Sequence, residues 1–529
     1  MSDYQYHCKV RIIETFNIQF FSYIRSRSCT MIKKIVYIIF FTTITTVSAQ
    51  NEVDVLRLST TDVYGSARFE SMAGSFGALG ADFSAIQINP AGLGRFSSSQ
   101  FAFSLSNSFI STQGNFSDAE VRETNANTKV GTLGAVFTKD KSHQNEGRIY
   151  RQLTLGYTRL KNFDYVKRYE GQNFNSLLDV FANMGEGIPE GIENETFQIY
   201  NERPFSTGLG LDVDAINYHP SSVSYYPELP PTSDVYHNRT IETSGGIGEF
   251  HFGLSENYMN TLYYGGSIGL RRVKYTQNIY HKEDVVSPEP EWTLHSFEYF
   301  DNLEIKGWGF NFKAGLLYLP SEEVRVGLAF ETPTYYNLED NFSSQMTAYH
   351  TYGTMSTPSG FIPHGEFSYR LRTPARLRGS LAYILDRKGA INIDVEFVDY
   401  RRGRLSNQLS TTSFAYNFNF ENSEVVNQHR AVLNTRIGFE HLISPEVFFR
   451  AGYALIPQAF KRDLGNMMRP NQTFAIGFGY DGDKIALDIG YRIMTLSEDY
   501  FAFDPSQESN RAMFKSLIHA LSFSISTRF

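Results

Sequence analysis

The chain has 529 residues and a formal net charge of −8 with no long basic run, which excludes nucleic acid as a partner. Aromatics make up 15% of it, 44 Phe and 33 Tyr against 2 Trp, yet average hydropathy is negative. Rings in a chain that is polar overall suit strands with one apolar and one wet face, the pattern of a membrane barrel.

Residues 1–30 carry no clear pattern, and translation is expected to begin at Met31. Lys33 and Lys34, the apolar run 35–41 and Val47-Ser48-Ala49 read as a signal peptide: a basic start, a short apolar stretch and a small-residue cleavage site. The run is too short to span a bilayer as a helix. Cleavage after Ala49 makes Gln50 the mature N-terminus. Both cysteines, Cys8 and Cys29, precede Met31, so the mature chain has no thiol or disulfide chemistry. The expected organisation is 1–49 as upstream extension plus signal peptide, 50–99 as a distinct N-terminal segment and 100–529 as a barrel.

Between 50 and 99 the composition shifts to small residues, in Gly65-Ser66-Ala67, in 72–80 and in 89–94. Asn89 is placed to cap a short helix whose first residue is Pro90, with Ala91 inside it and Gly92 or Gly94 at its end. Gly74, Gly77 and Gly80, spaced by three, predict a side-chain-free ridge that packs closely on another surface. No Gly-Lys-Ser/Thr follows, so this is not a phosphate loop.

Beyond Ala49 no stretch approaches the ~20 apolar residues of a membrane helix, so strands must do the spanning. Phe101, Phe103, Leu105 and Phe109 alternate with Ala102, Ser104, Ser106 and Ser108. This period of two belongs to strands alone. It returns at 310–318 and 324–330, and near 133–138, 153–160, 248–254, 262–270, 377–383, 391–397, 433–439, 447–453, 474–480, 485–491 and 521–529. Fourteen segments result, and an even count lets the chain begin and end on one side. Short links at 320–323, 385–390, 441–446 and 481–484 alternate with long ones at 161–247, 271–309, 331–376, 398–432, 454–473 and 492–520. That asymmetry is the one expected of periplasmic turns and external loops. Within 161–247 a helix is expected near 176–184. The fold class is therefore all-β: a transmembrane antiparallel barrel of about fourteen strands.

The last segment ends on Phe529, the kind of terminus that barrel-assembly machinery reads. Charges at inward positions are Arg325, Arg378, Asp394, Glu396, Arg436, Glu440, Arg450, Asp488 and Arg492. Arg325, Arg378, Arg436 and Arg450 are candidate lumen contacts, able to hold a ligand carboxylate by paired hydrogen bonds. The competing expectation is a salt-bridge lattice that braces a polar interior. His219, His251, His281, His295, His364 and His441 are scattered with no nucleophile motif near them and read as solvated. No Cys/His or His-x-x-x-His spacing indicates zinc, and no placed His or Tyr indicates haem, so neither an enzyme, a metal nor a cofactor is expected.

The stretch 67–94, with Met-Ala-Gly, Gly-Ala-Leu-Gly-Ala-Asp and Asn-Pro-Ala-Gly, resembles the N-terminal hatch of the FadL/TodX family of outer-membrane transporters, in the branch found in Bacteroidetes. Residues 307–315, 372–376 and 394–400 are similar to that branch as well. The resemblance implies a fourteen-stranded barrel in the bacterial outer membrane, plugged in its lumen by a small N-terminal hatch over 50–99, bathed in its lipid and working as a monomer. It further implies passive uptake of hydrophobic molecules such as long-chain fatty acids, a hatch turn at Asn89, Pro90, Ala91 and Gly92 that holds the lumen closed, and sideways release into the bilayer. A FadL-like component of the type IX secretion system that holds cargo offers an alternative role as a docking or structural barrel. Apolar residues in 331–376 (Tyr335, Tyr336, Met346, Tyr349, Tyr352, Met355, Phe361) serve either role. A non-specific porin is the third reading.

Overall fold

The computed structural model describes residues 52–529 apart from 145–146, 191, 194–195, 231–233, 409–415, 462–468 and 504–509. The expected signal peptide and cleavage site lie outside the described residues.

Fourteen antiparallel strands close on themselves. They are β1 (Gln100–Phe116), β2 (Ala119–Asp140), β3 (Arg148–Asn162), β4 (Val235–Tyr258), β5 (Leu262–Val285), β6 (Leu294–Tyr318) and β7 (Val324–Glu331). The circuit continues with β8 (Arg376–Leu385), β9 (Gly389–Asp399), β10 (Ala431–Ser444), β11 (Val447–Ile456), β12 (Asn471–Asp481), β13 (Ile485–Phe501) and β14 (Arg511–Arg528). Each pairs with its sequence neighbour. Gln100↔Arg528 through Asn115↔Met513 then join β1 to β14. Closure pairs strand edges around the circuit, with the upper part of the β2–β3 seam as the exception, and an unpaired amide in lipid costs several kcal/mol. Thirteen of the fourteen expected segments lie within these strands, and the last, 521–529, runs one residue past the end of β14.

The alternation sorts side chains by solvent. Phe310, Phe312, Leu316, Leu328 and Phe330 face outward while Asn311, Lys313 and Ala329 are buried inside. Tyr318, Tyr383 and Tyr480 ring the short-turn end, and Trp308, Tyr335 and Tyr491 lie further up. Trp308 and Tyr318 are ten residues apart on β6, roughly 26 Å at ordinary rise and tilt, the height of an outer-membrane apolar band flanked by aromatic girdles. Phe312→Arg, near the middle of that band, is expected to weaken folding in lipid by about 2–4 kcal/mol. Urea titration in vesicles measures it, and a loss under about 0.5 kcal/mol contradicts the assigned lipid face.

Several expected long loops are instead paired strand. The link 271–309 shrinks to 286–293, because β5 and β6 stay in register from Arg271↔Gly309 up to Asp284↔Ser296. Above the membrane both faces of such a ribbon carry polar residues, so the alternation that marked the lower half disappears while the pairing continues. Segment 161–247 holds a further strand, Tyr165–Asn173, and a helix, Leu177–Gly185. Ser176 and Asp179 form its capping box. Leu178, Phe181, Leu209 and Ile216 of this insertion pack on Phe297 and Met346 of the ribbons. In 331–376 Tyr336 and Met346 point inward, whereas Tyr335, Tyr352 and Phe361 are exposed.

Two histidines depart from the solvated reading. His219, His295, His364 and His441 are exposed, but His251 and His281 are buried beside Glu249 and Glu283, whose carboxylates offset the loss of water. Phe529 donates its backbone N–H to Ser99 O at 3.0 Å and sets its ring edge-on to Phe137.

Candidate functional site

The residues before β1 fold into helices α1 (Glu52–Ser59) and α2 (Ala67–Ser71) and two 3₁₀ turns, Phe83–Gln87 and Pro90–Arg95. Side-chain caps start the last three. Ser66 accepts from Phe69 N and Asp82 from Ser84 N, and the Ser66 hydroxyl donates to Asp82 at 2.7 Å, tying two turns together. Asn89 caps the last turn by accepting from Ala91 N at 3.1 Å, with Pro90 in its first position. The turn passes Gly92 and Gly94 and ends at Arg95.

Gly74, Gly77 and Gly80 do not form one ridge. Residues 72–82 are a chain of turns, in which Gly74 and Gly80 take positive φ (77° and 66°), so a spacing of three does not align them. Gly77 alone presses on the wall, at Ser380 and Asp394, while Gly80 abuts Gly92. The wall answers with glycines of its own. A Cβ at Gly315, Gly327, Gly438, Gly452 or Gly477 would strike Asn89, Gly77, Met72 or Ser71.

This plug is bonded around nearly the whole circumference. Asn89 Nδ2 donates to Gly77 O at 2.8 Å and to Leu316 O of β6 at 3.1 Å. Ser255 of β4 donates to Pro90 O, Gln152 of β3 to Phe96 O, and Ser104 of β1 to Gly65 O. On β9, Asp394 accepts from the amides of Phe76 and Gly77, and Asn392 exchanges hydrogen bonds with Ser75. Arg68 forks onto Glu440 of β10 at 2.8 and 2.9 Å. Glu70 pairs with Arg492 of β13 at 3.0 Å.

Above the plug a belt of buried charges runs from strand to strand. Glu249 of β4 faces Arg271 of β5 and Lys313 of β6, and Arg271 also reaches Glu331 of β7. Arg378 of β8 bridges Glu331 at 2.8 Å and Glu396 of β9 at 2.6 Å, and Glu396 also holds Arg376 at 3.1 Å and Arg436 at 3.8 Å. Five basic groups thus meet three carboxylates. Between belt and plug, a cavity of about 20 Å³ is lined by Asp62, Gln87, Arg271, Glu331, Arg378 and Arg436 among others. That is room for about one water molecule. Over the belt, Val55 and Leu58 of α1 and Val425 of a helix at Asn419–Gln428 join Ile305, Leu338, Tyr369 and Leu371 in an apolar core filling the upper barrel.

The four arginines singled out from the sequence separate. Arg378 and Arg436 share Glu396. Arg450 lies elsewhere, between Glu440 and Asp488 at 2.6 Å from each, and Arg325 reaches the plug carbonyl of Leu79 at 3.4 Å. Arg271, Lys313, Arg376, Glu249 and Glu331 escaped notice. The signal was present in part, since Lys313 stands at an inward position of 310–318, but Arg271, Glu331 and Arg376 fall just past the recognised ends of their segments.

One seam of the wall is incomplete. β2 and β3 pair from Asp140↔Tyr150 to Thr132↔Thr158 and no further. Higher up, Tyr165–Asn173 pairs with β4 alone and crosses behind β1, where a Cβ at Gly114 would meet Arg168 O at 2.0 Å. Side chains span the parted strands: Lys129 with Asp164 at 2.6 Å, and Asn125 onto Asp164 O at 3.1 Å.

Residues 259–529 match the family described as outer membrane protein transport protein (OMPP1/FadL/TodX). Among solved structures, a Pseudomonas aeruginosa FadL homologue aligns over 89% of this chain and 100% of its own at 11% identity, with a TM-score of 0.52. The Pseudomonas putida toluene transporter TodX aligns over 88% and 99% at 13% identity, TM-score 0.48. The monoaromatic hydrocarbon channel CymD aligns over 89% and 99% at 13% identity, TM-score 0.47. No curated protein matches the chain by sequence.

Proposed function

This chain belongs to the outer membrane protein transport family OMPP1/FadL/TodX, and on that premise we propose how it carries its cargo. It is an outer-membrane transport barrel for hydrophobic compounds and not an enzyme. The proposed cargo class is hydrophobic molecules such as long-chain fatty acids, moved passively. The cargo enters among the upper ribbons by parting the packed apolar cores to which Phe297, Met346, Ile305 and Leu338 belong. A carboxylate head then meets the belt, whose excess of basic groups gives Arg378 and Arg436 a hydrogen bond to offer it. The domain 50–99 acts as the gate, with the turn Asn89, Pro90, Ala91 and Gly92 as its latch on β6. A shift of the plug frees the lumen, and the cargo leaves sideways through the β2–β3 seam into the bilayer. The barrel acts as a monomer and is inserted by assembly machinery that engages the strand ending at Phe529.

The observation that carries this reading is a plug hydrogen-bonded to strands on nearly every side of the lumen beside a wall seam held by side chains alone. A porin needs a continuous water channel instead. The test is uptake of a labelled long-chain fatty acid by cells lacking their own transporter, comparing the intact protein with Asn89→Ala, Pro90→Ala. The intact protein is expected to import it and the variant to change the initial rate severalfold. Absence of uptake by the intact protein at normal surface expression contradicts the cargo class.

A further inference from the structure

High on the barrel, above the aromatic girdle, His237 of β4 lies opposite Glu283 of β5, and His281 precedes Glu283 by two residues on the same inner face. All three side chains are essentially inaccessible to solvent. Glu283 Oε1 is 2.7 Å from His281 Nε2 and 3.5 Å from His237 Nδ1, and one ligand-capable atom from each residue lies within 4.8 Å of the others.

The hydrogen bonds around this cluster leave it short of a positive charge. His237 donates Nε2–H to the carbonyl of Asn175 at 2.9 Å. Its Nδ1 in the neutral ring therefore carries a bare lone pair, and that lone pair faces a carboxylate oxygen. Two acceptors pointed at each other in a dry site repel unless a proton or a cation lies between them. Neither His237 Nδ1 nor His281 Nδ1 has a hydrogen-bond partner, although both are buried.

The carboxylate is held in place from its far side. Ser176 Oγ donates to Oε2 at 2.5 Å and Leu177 N to Oε1 at 2.9 Å, which fixes Glu283 at the start of the helix Leu177–Gly185. Phe116, Phe297 and Phe503 surround the imidazoles at centroid distances of 5.7 to 6.1 Å. Metal-binding histidines characteristically donate their second nitrogen to a carbonyl, inside an apolar shell that excludes water.

We propose that His237 Nδ1, His281 Nε2 and Glu283 Oε1 form a site for one divalent transition-metal ion of the zinc class. Two imidazoles and a carboxylate select zinc, cobalt or copper over calcium and magnesium, which prefer all-oxygen sets. Ligand atoms about a tetrahedral zinc stand roughly 3–3.5 Å apart given bonds of about 2.0–2.2 Å, so the observed 2.7 and 3.5 Å lie near that spacing and the 4.8 Å spread of the set closes by rotation of the two imidazoles. Binding moves the His281 proton to Nδ1, the nitrogen now without a partner. The ion staples the insertion that begins at Ser176 to the β4–β5 ribbon. Arg239 is the nearby cation that opposes it, standing across from His281 in the strand register.

The test uses the mature chain folded in detergent with Zn²⁺ present, dialysed, and assayed for bound metal, with Co²⁺ as a coloured substitute. The wild type is expected to retain one equivalent of Zn²⁺ per chain and to give the intense visible absorption of low-coordinate Co²⁺. His237→Ala, His281→Ala should lose that equivalent and the colour. Glu283→Gln, which still accepts from Ser176, should bind at least about tenfold more weakly. Heat-modified gel mobility confirms that each barrel is folded. A folded wild type that retains no Zn²⁺, or a double variant that retains as much as wild type, overturns the site.

Discussion

Glu396→Ala is expected to destabilise the closed barrel by about 3–5 kcal/mol, the cost of removing one partner from a buried ion cluster. Glu396 is 1% exposed and accepts from Arg376, Arg378 and Asn434, with Arg436 at 3.8 Å. After truncation Arg378 keeps Glu331 and Arg376 keeps the carbonyl of Ser59, but Arg436 has no carboxylate left within the belt. The belt already carries more basic groups than carboxylates, so the loss deepens an imbalance instead of correcting one. Urea titration of folded protein in vesicles reads the effect. The internal control is Arg387→Ala, whose ion pair with Glu322 is exposed on both sides and is worth at most about 1 kcal/mol. Equal losses for the two substitutions would refute the belt as a brace.

Gly80→Ala is expected to undock the plug while the barrel stays folded. Gly80 has φ of +66°, which costs a residue with a Cβ about 1–2 kcal/mol. The added methyl would also sit 2.4 Å from Gly92 O and 2.8 Å from Gly92 Cα. Both obstacles are backbone, so no rotamer change relieves them, and the two turns that meet there must part. That contact joins the first half of the plug to the Asn89 turn, where Ala81 N donates to Gly92 O at 3.1 Å. Amide exchange across 65–95 should accelerate by orders of magnitude, with exchange in β5 and β6 unchanged. Unchanged protection of the plug would show that this contact does not hold it shut.

What could be read from the sequence followed from where the solvent changes sharply. In the membrane band lipid outside and a polar lumen inside force strict alternation, so Phe310, Phe312 and Leu316 against Asn311 and Lys313 announce a strand and its facing at once. Above the band water replaces lipid, and the β5–β6 ribbon from Lys274 to Asp284 keeps its pairing without the pattern that would reveal it. The plug was legible where local chemistry dictates it, as in the Asn89 cap and Pro90, because a cap depends on neighbours two or three residues away. The glycine spacing misled, since periodicity carries meaning only within a regular element and 72–82 is a run of turns.

Charges were harder for the same reason. Inward position follows from alternation, and Arg378, Asp394, Glu396, Arg436 and Arg450 are all inward. Partnership depends on which strands the closed barrel sets side by side, and a linear pattern holds no such record for Arg450 and Asp488 or for Arg68 and Glu440. The buried His251 and His281 illustrate it: each owes its burial to a glutamate two residues away on its own strand, a spacing that in a soluble loop would mean nothing.

The account rests on a plug that moves, and the absence of cysteine from residues 50–529 allows a direct test. A Cβ at Gly438 would lie 3.0 Å from Ser75 Cβ, slightly inside the 3.5–4.5 Å range of a disulfide and reachable by a small shift. In Ser75→Cys, Gly438→Cys the plug is tied to β10, and uptake of a labelled hydrophobic molecule is measured before and after reduction. Uptake blocked when oxidised and restored by reductant is the predicted result. Equal uptake in both states, with the crosslink verified, would mean that cargo passes without the plug leaving β10 and would contradict the gate.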